Sequence, residues 1–144
     1  MSDFSPAEPV YIENEWYDGP RAGIASIYGK PHRFVSQFDE DQDQYLGSFL
    51  VWPIEECELT LEQEQWRIFV NWNDEYEAGR AGTDSHPAQP GLNQRWGELD
   101  LLLKASREMA PSNAIRARAQ MVHLQDQRRY TASGPSYLLS WQSL

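Results

Sequence analysis

The chain is short of several residue types, and each shortage narrows what it can be. One cysteine in 144 residues, Cys57, excludes an internal disulfide and points to a reducing compartment. The three histidines, His32, His86 and His123, are scattered, with no His-x-His or Cys-x-x-Cys spacing, so no metal centre and no cofactor is expected. Apolar runs such as residues 49–52 and 101–103 fall far short of the roughly 20 residues a membrane helix needs. The Met1-Ser-Asp-Phe start has neither the basic nor the apolar region of a secretory signal. A soluble cytoplasmic protein is the expectation, with no membrane partner.

Positive charge is also scarce. Against 22 Asp and Glu stand 12 Lys and Arg, for a net charge of -10. Residues 1–100 hold 20 of the acids and 6 of the bases, whereas residues 101–144 hold 2 and 6. Nucleic-acid binding needs a dominant basic field, so no nucleic-acid partner is expected; an acidic body suits a basic protein partner instead. Phosphate-cradling glycine loops and the Gly-x-Ser-x-Gly elbow are absent, which removes nucleotide chemistry and serine-hydrolase chemistry from consideration. The acidic loop at residues 39–43 lacks the sixth-position glycine and twelfth-position glutamate of a calcium loop, Leu50 standing at the latter.

What is present is concentrated near the N-terminus. Residues 16–34 pack three glycines, two prolines, five aromatic rings counting His32, and the trio Asp18, Arg21 and His32 into nineteen positions. Such a stretch has a tightly specified backbone. Tyr28-Gly29 reads as a hairpin turn between residues 23–27 and 31–38, with Gly29 supplying a positive φ. Pro31 has no N–H, so the turn must close on Lys30. This register pairs Ile27 with Lys30, Ala25 with His32 and Gly23 with Phe34.

Residues 1–9 read as a loose leader, residues 10–17 as a first strand, and residues 45–52 as a strand stopped by Pro53. Thr60-Leu-Glu-Gln63 has the form of a capping box, so a helix is expected from Thr60, with Leu61, Ile68, Phe69, Trp72 and Tyr76 as its stripe, widened by Trp66 and Val70, and Gly79 as its stop. Residues 79–95 form a long loop that could move or act as a flap. Residues 96–109 suit a second helix, with a strand over residues 99–104 as the alternative, residues 114–124 a strand with Ile115, Ala117, Ala119 and Met121 on one face, and residues 137–141 its returning partner. The whole is expected to be a single α+β domain: a curved antiparallel sheet or incomplete barrel, made of an N-terminal meander and a C-terminal hairpin, with about two helices.

Tyr17-Asp-Gly-Pro-Arg-Ala-Gly-Ile-Ala, followed by Gly29-Lys-Pro-His-Arg-Phe, resembles a family of small uncharacterised bacterial proteins with this opening. The likeness runs on through residues 66–76, Glu98-Leu99 and Arg116-Ala-Arg-Ala. The resemblance implies a bacterial, cytoplasmic origin and no activity.

Two functional expectations follow. The first is a non-enzymatic binding protein with a protein partner, immunity- or antitoxin-like in its size and acidity, using Trp16, Tyr17, Tyr28 and Trp52 as contact residues. The second is a small acid–base enzyme in which Arg21 holds an anionic substrate and His32, oriented by Asp18, moves a proton. Pro20 denies Asp18 its usual backbone cap, so Asp18 must bond elsewhere: to Arg21 in a turn, or to His32 in a pocket.

Overall fold

The computed structural model describes residues 3–144. The chain forms strands β1 (Glu8–Trp16), β2 (Pro20–Ile27), β3 (Lys30–Asp39) and β4 (Gln44–Pro53), then helices α1 (Glu56–Glu77) and α2 (Gln94–Glu108). Strand β5 (Ile115–His123), a two-residue hairpin β6 (Tyr130–Thr131) and β7 (Gly134–Pro135), and β8 (Tyr137–Ser143) complete it. The main sheet is antiparallel and closes into a barrel in the order β1-β2-β3-β4-β5-β8. It is an α+β fold in which the meander and the C-terminal pair meet to remove both free edges.

The β2–β3 hairpin has the expected register, Ile27 with Lys30, Ala25 with His32 and Gly23 with Phe34. Both Tyr28 (φ 50°) and Gly29 (φ 77°) take positive φ, as a two-residue turn matched to strand twist requires. Glu8 supports the turn from across the sheet, its carboxylate accepting from the backbone N–H groups of Tyr28 (2.6 Å) and Gly29 (2.9 Å) and from the Ser26 hydroxyl. Burial raises its pKa, but these donors outweigh it and the net shift is downward.

Strand alternation sorts the side chains into two cores. Val10, Ala25, Phe34, Phe49, Val51, Ala117, Tyr137, Leu139 and Trp141 fill the barrel. On the outer face, Ile12 and Ile24 pack beneath Leu59, Trp66 and Val70 of α1. Of the four residues expected on one face of β5, Ala117, Ala119 and Met121 pack in the barrel core, whereas Ile115, at the start of the strand, is 51% exposed.

Several local expectations are corrected. Helix α1 begins at Glu56, not Thr60; the Thr60 hydroxyl donates back to the Glu56 carbonyl, so no capping box forms. Two first-turn acids, Glu56 and Glu58, complement the helix dipole instead. The face of α1 turned to the protein carries Leu59, Glu62, Gln65, Trp66, Val70 and Asn73, so three of its buried residues are polar, and Tyr76 is exposed rather than core. The described part of the leader, from residue 3, is not loose, and residues 1 and 2 lie outside the described ones. The Ser5 N–H donates to the Trp141 carbonyl (2.7 Å), the Ser5 hydroxyl accepts from the Trp141 N–H (2.9 Å), and β1 has begun by Glu8.

Candidate ligand-binding cleft

Strand β1 slips register against β2 near Ile12, Glu15 and Trp16. Such bulges break strict alternation, so five consecutive residues, Ile12 to Trp16, reach one cleft. Opposite them, Glu62, Gln65, Trp66 and Phe69 recur at helical spacings of three and four along one face of α1. Trp96, Asp100 and Arg107 contribute one face of α2. His86, from the segment joining the helices, and Tyr130 close the cleft, whose volume is about 470 Å³. That is the size of a pocket for a small organic molecule.

Its floor is ionic. Glu62 and Arg33 are each 1% exposed, and charges so buried need partners on every side. Arg33 bonds Glu62 (2.8 Å) and Glu58 (2.7 Å), and its remaining nitrogen donates to the Asn14 side-chain oxygen. From the opposite side Arg107 donates to both oxygens of Glu62, to the Gln65 side-chain oxygen and to Asp100 (3.1 Å). Gln65 in turn donates to Asp100 (2.8 Å) and to the Trp96 carbonyl, tying α1 to α2. Burial pushes the Glu62 pKa up, but Arg107 and Arg33 outweigh it, so the carboxyl stays ionised with its pKa below the ordinary value.

A second, half-buried cation, Arg129, pairs with the buried Glu13. The Arg129 guanidinium lies over the rings of Tyr130 (4.5 Å), Trp16 (4.7 Å) and Tyr137 (5.7 Å) and bonds Glu13 at 2.7 Å. The Tyr137 hydroxyl also donates to Glu13 (2.9 Å), and burial, then that carboxylate, raises the Tyr137 pKa strongly. Nη1 of Arg129 has no acceptor; the ring faces around the guanidinium offset part of that cost.

The wall is aromatic. Tyr130 packs edge-on to Trp66 (5.8 Å) and Phe69 (5.0 Å), and His86 sits among Phe69, Trp72 and Trp96 at 4.5–5.9 Å. Burial lowers the His86 pKa, and its Nδ1 accepts from the Ala88 N–H, which puts the proton of the neutral ring on Nε2. The segment at residues 79–95 is thereby anchored: it contains a single 3₁₀ turn, Thr83–Ser85, whose Ser85 hydroxyl accepts from Trp72 Nε1. Residues 94 and 95 already belong to α2, which is capped by the Asn93 side chain.

Of the residues proposed from sequence as catalytic or contact residues, only Trp16 lines this cleft; Trp66 and Phe69, read as helix core, and His86 line it too. Asp18 stands exposed in the β1–β2 turn with φ 53° and makes no bond to Arg21 or His32 among the described residues. Arg21 donates to the Tyr17 carbonyl (2.7 Å) and covers the Tyr45 ring at 3.8 Å. His32 is bonded to the Lys30 carbonyl at the opposite end of the hairpin (2.8 Å). Its partner Ala25 lies four residues along β2 from Arg21, about 13 Å at strand spacing, so the structure does not bring the trio together. Tyr17 and Tyr28 are exposed, whereas Trp52 is 6% exposed and offers no surface to a partner.

Glu13, Asn14, Glu62, Gln65, Asp100 and Arg107 had no local motif to mark them. One signal was available: Leu59, Trp66 and Val70 define a second stripe on α1 in which Glu62 is the out-of-place residue. Among the described residues no group of three His, Cys, Asp or Glu is placed to hold a metal ion. Comparison with protein-family models, curated proteins and solved structures returns no match.

Proposed function

We propose that this protein works by binding rather than by turnover, and that the cleft between β1, α1 and α2 is its working site, taking a small organic molecule with an apolar or aromatic body. The observation that carries this reading is the division of labour in the cleft: aromatic walls stand over a floor whose charges are bound to one another. Glu62 accepts guanidinium donors on both oxygens, so the most deeply buried carboxylate of the cleft is held as a fixed counter-ion and not as a base toward a substrate proton. The proposal includes the bacterial, cytoplasmic setting expected above.

Screening small aromatic and aliphatic compounds of every charge type by thermal shift, with tryptophan fluorescence as second readout, tests it. Ligands should raise Tm and perturb the emission of Trp16, Trp66 or Trp96. A screen in which no compound does either at millimolar concentration refutes the reading.

A protein partner is the second reading, favoured by one surface. Tyr17, Phe38 and Tyr45 cluster at 4.9–6.1 Å on one end of the barrel, with Tyr17 67% and Phe38 44% exposed, beside the acidic loop at residues 39–43. Rings ringed by carboxylates suit a basic segment of another protein. Tyr17→Ala should then abolish native-cell capture that Tyr28→Ala leaves intact.

A further inference from the structure

We propose that the cleft selects an organic cation: an ammonium or amidinium group carried on an aromatic or aliphatic body. The inference rests on the cleft being a ligand site and adds the sign of the ligand's charge.

Every guanidinium around the cleft is paired with a carboxylate; only Nη1 of Arg129 lacks an acceptor among the described residues, and that nitrogen is buried away from a ligand. Arg107 spends its nitrogens on Glu62, Gln65 and Asp100. Arg33 spends its own on Glu58, Glu62 and Asn14, and Arg129 is held by Glu13 beneath three rings. An anionic ligand would have to break one of these pairs and leave a carboxylate without its counter-charge, which burial makes strongly unfavourable. Anion binding is therefore opposed by the floor itself.

Carboxylate acceptors, by contrast, remain. Both protein donors to Asp100, from Arg107 and Gln65, go to Oδ1, and Oδ2 has no protein donor among the described residues. Among the described residues Glu15 has only the Tyr45 hydroxyl, at 3.3 Å on Oε1, and no ion-pair partner. Four carboxylates line the cleft, those of Glu13, Glu15, Glu62 and Asp100, against the single guanidinium of Arg107. Adding Arg33 and Arg129, which pair with them from behind, still leaves one negative charge over. The rings of Trp16, Phe69 and Trp96 line the same cleft, and an aromatic ring attracts a cation through its face. The chain already performs this recognition once at the edge of the cleft, where Arg129 rests on Trp16 and Tyr130 with Glu13 as counter-ion.

Three probes with one body and different heads test the charge: phenethylamine, 2-phenylethanol and phenylacetate, titrated into the ¹⁵N-labelled protein at pH 7.5 while following the six tryptophan indole N–H signals. Phenethylamine should bind tightest and shift the Trp16 and Trp96 signals. Glu15→Gln, a change at an exposed residue, and Asp100→Asn should each weaken it about threefold to fivefold while leaving 2-phenylethanol within experimental error, the unchanged alcohol showing that the cleft is still folded. If the alcohol or the carboxylate binds as tightly as the amine, or if neither substitution touches amine binding, the cation assignment is overturned while the cleft stands as a ligand site. Absence of binding by all three probes overturns the cation assignment, and a wider screen that also returns nothing removes the cleft as a ligand site.

Discussion

Glu62 occupies a position where a leucine would have been the simpler choice, on the buried side of a helix and between two guanidiniums. Neutralising it leaves Arg33 and Arg107 facing each other with less counter-charge, and breaking one side of such a buried arrangement costs about 3–5 kcal/mol. Glu62→Gln should therefore lower unfolding stability by about 3 kcal/mol in urea at pH 7, the amide retaining shape and some hydrogen bonding. The same residue predicts a pH signature. Its folded pKa lies below the ordinary value of 4.5, so its stabilisation is fully present above that pH and is lost as pH falls through the folded value. The stability gap between wild type and Glu62→Gln should accordingly be constant from pH 7 to about 5.5 and narrow steadily below pH 4.5. A gap that stays constant down to pH 3 would show that Glu62 is not held ionised by its arginines.

At the level of elements, the β2–β3 hairpin was legible because its determinants are local: Gly29 supplies φ, and Pro31 cannot close the turn, so the register has one solution. The α1 face was not legible by the same means. Leu61, Ile68, Phe69, Trp72 and Tyr76 satisfy helical periodicity, yet the helix turns Glu62 and Gln65 inward because their partners arrive from β1, β3 and α2, too far away in sequence for a stripe to reveal, and buries Asn73 with no partner for its Nδ2 among the described residues. The candidate site was hidden for that reason: it is assembled from polar residues of four elements, and only Trp16 stood out as a contact residue. Two glycines of one hairpin separate close approach from conformational need. A Cβ on Gly23 would sit 2.1 Å from the Ile12 carbonyl oxygen and 2.9 Å from the Phe34 ring, whereas one on Gly29 meets nothing but must adopt φ 77°. Gly29→Ala should cost about 1–2 kcal/mol, the penalty of a left-handed alanine. Gly23→Ala should cost more, about 3 kcal/mol or above, because strand β1 must move away from β2. Urea unfolding of the two variants side by side checks the order; equal losses would mean that the β1–β2 approach is not tight.

For the molecule as a whole, the charge imbalance along the chain is resolved by folding. Arg107, Arg128 and Arg129 from the basic C-terminal third pair with Glu62, with Asp74 and Glu77, and with Glu13 from the acidic body, so these bases do not form a free arm. Barrel closure follows the same long-range logic. Strands β1 and β8 share only the pairs Glu8 with Leu139 and Pro9 with Leu138, and the seam is extended by the two bonds between Ser5 and Trp141, 136 residues apart. A stretch with two prolines and little to bury gives no local sign of that role. The Ser5 hydroxyl is the acceptor for a buried backbone N–H, and a buried donor left without a partner costs about 1–3 kcal/mol. Ser5→Ala should lower unfolding stability by that amount, read as a fall in the urea midpoint at unchanged m value, since the surface exposed on global unfolding stays the same. Hydrogen exchange should localise the change: the Trp141 amide loses protection by more than the global destabilisation explains, while amides of the β2–β3 hairpin lose only the global amount. Uniform loss across all strands would mean that the barrel opens only as a whole. Loss confined to the seam would identify β1–β8 as the place where the closed sheet first parts and exposes pairing edges.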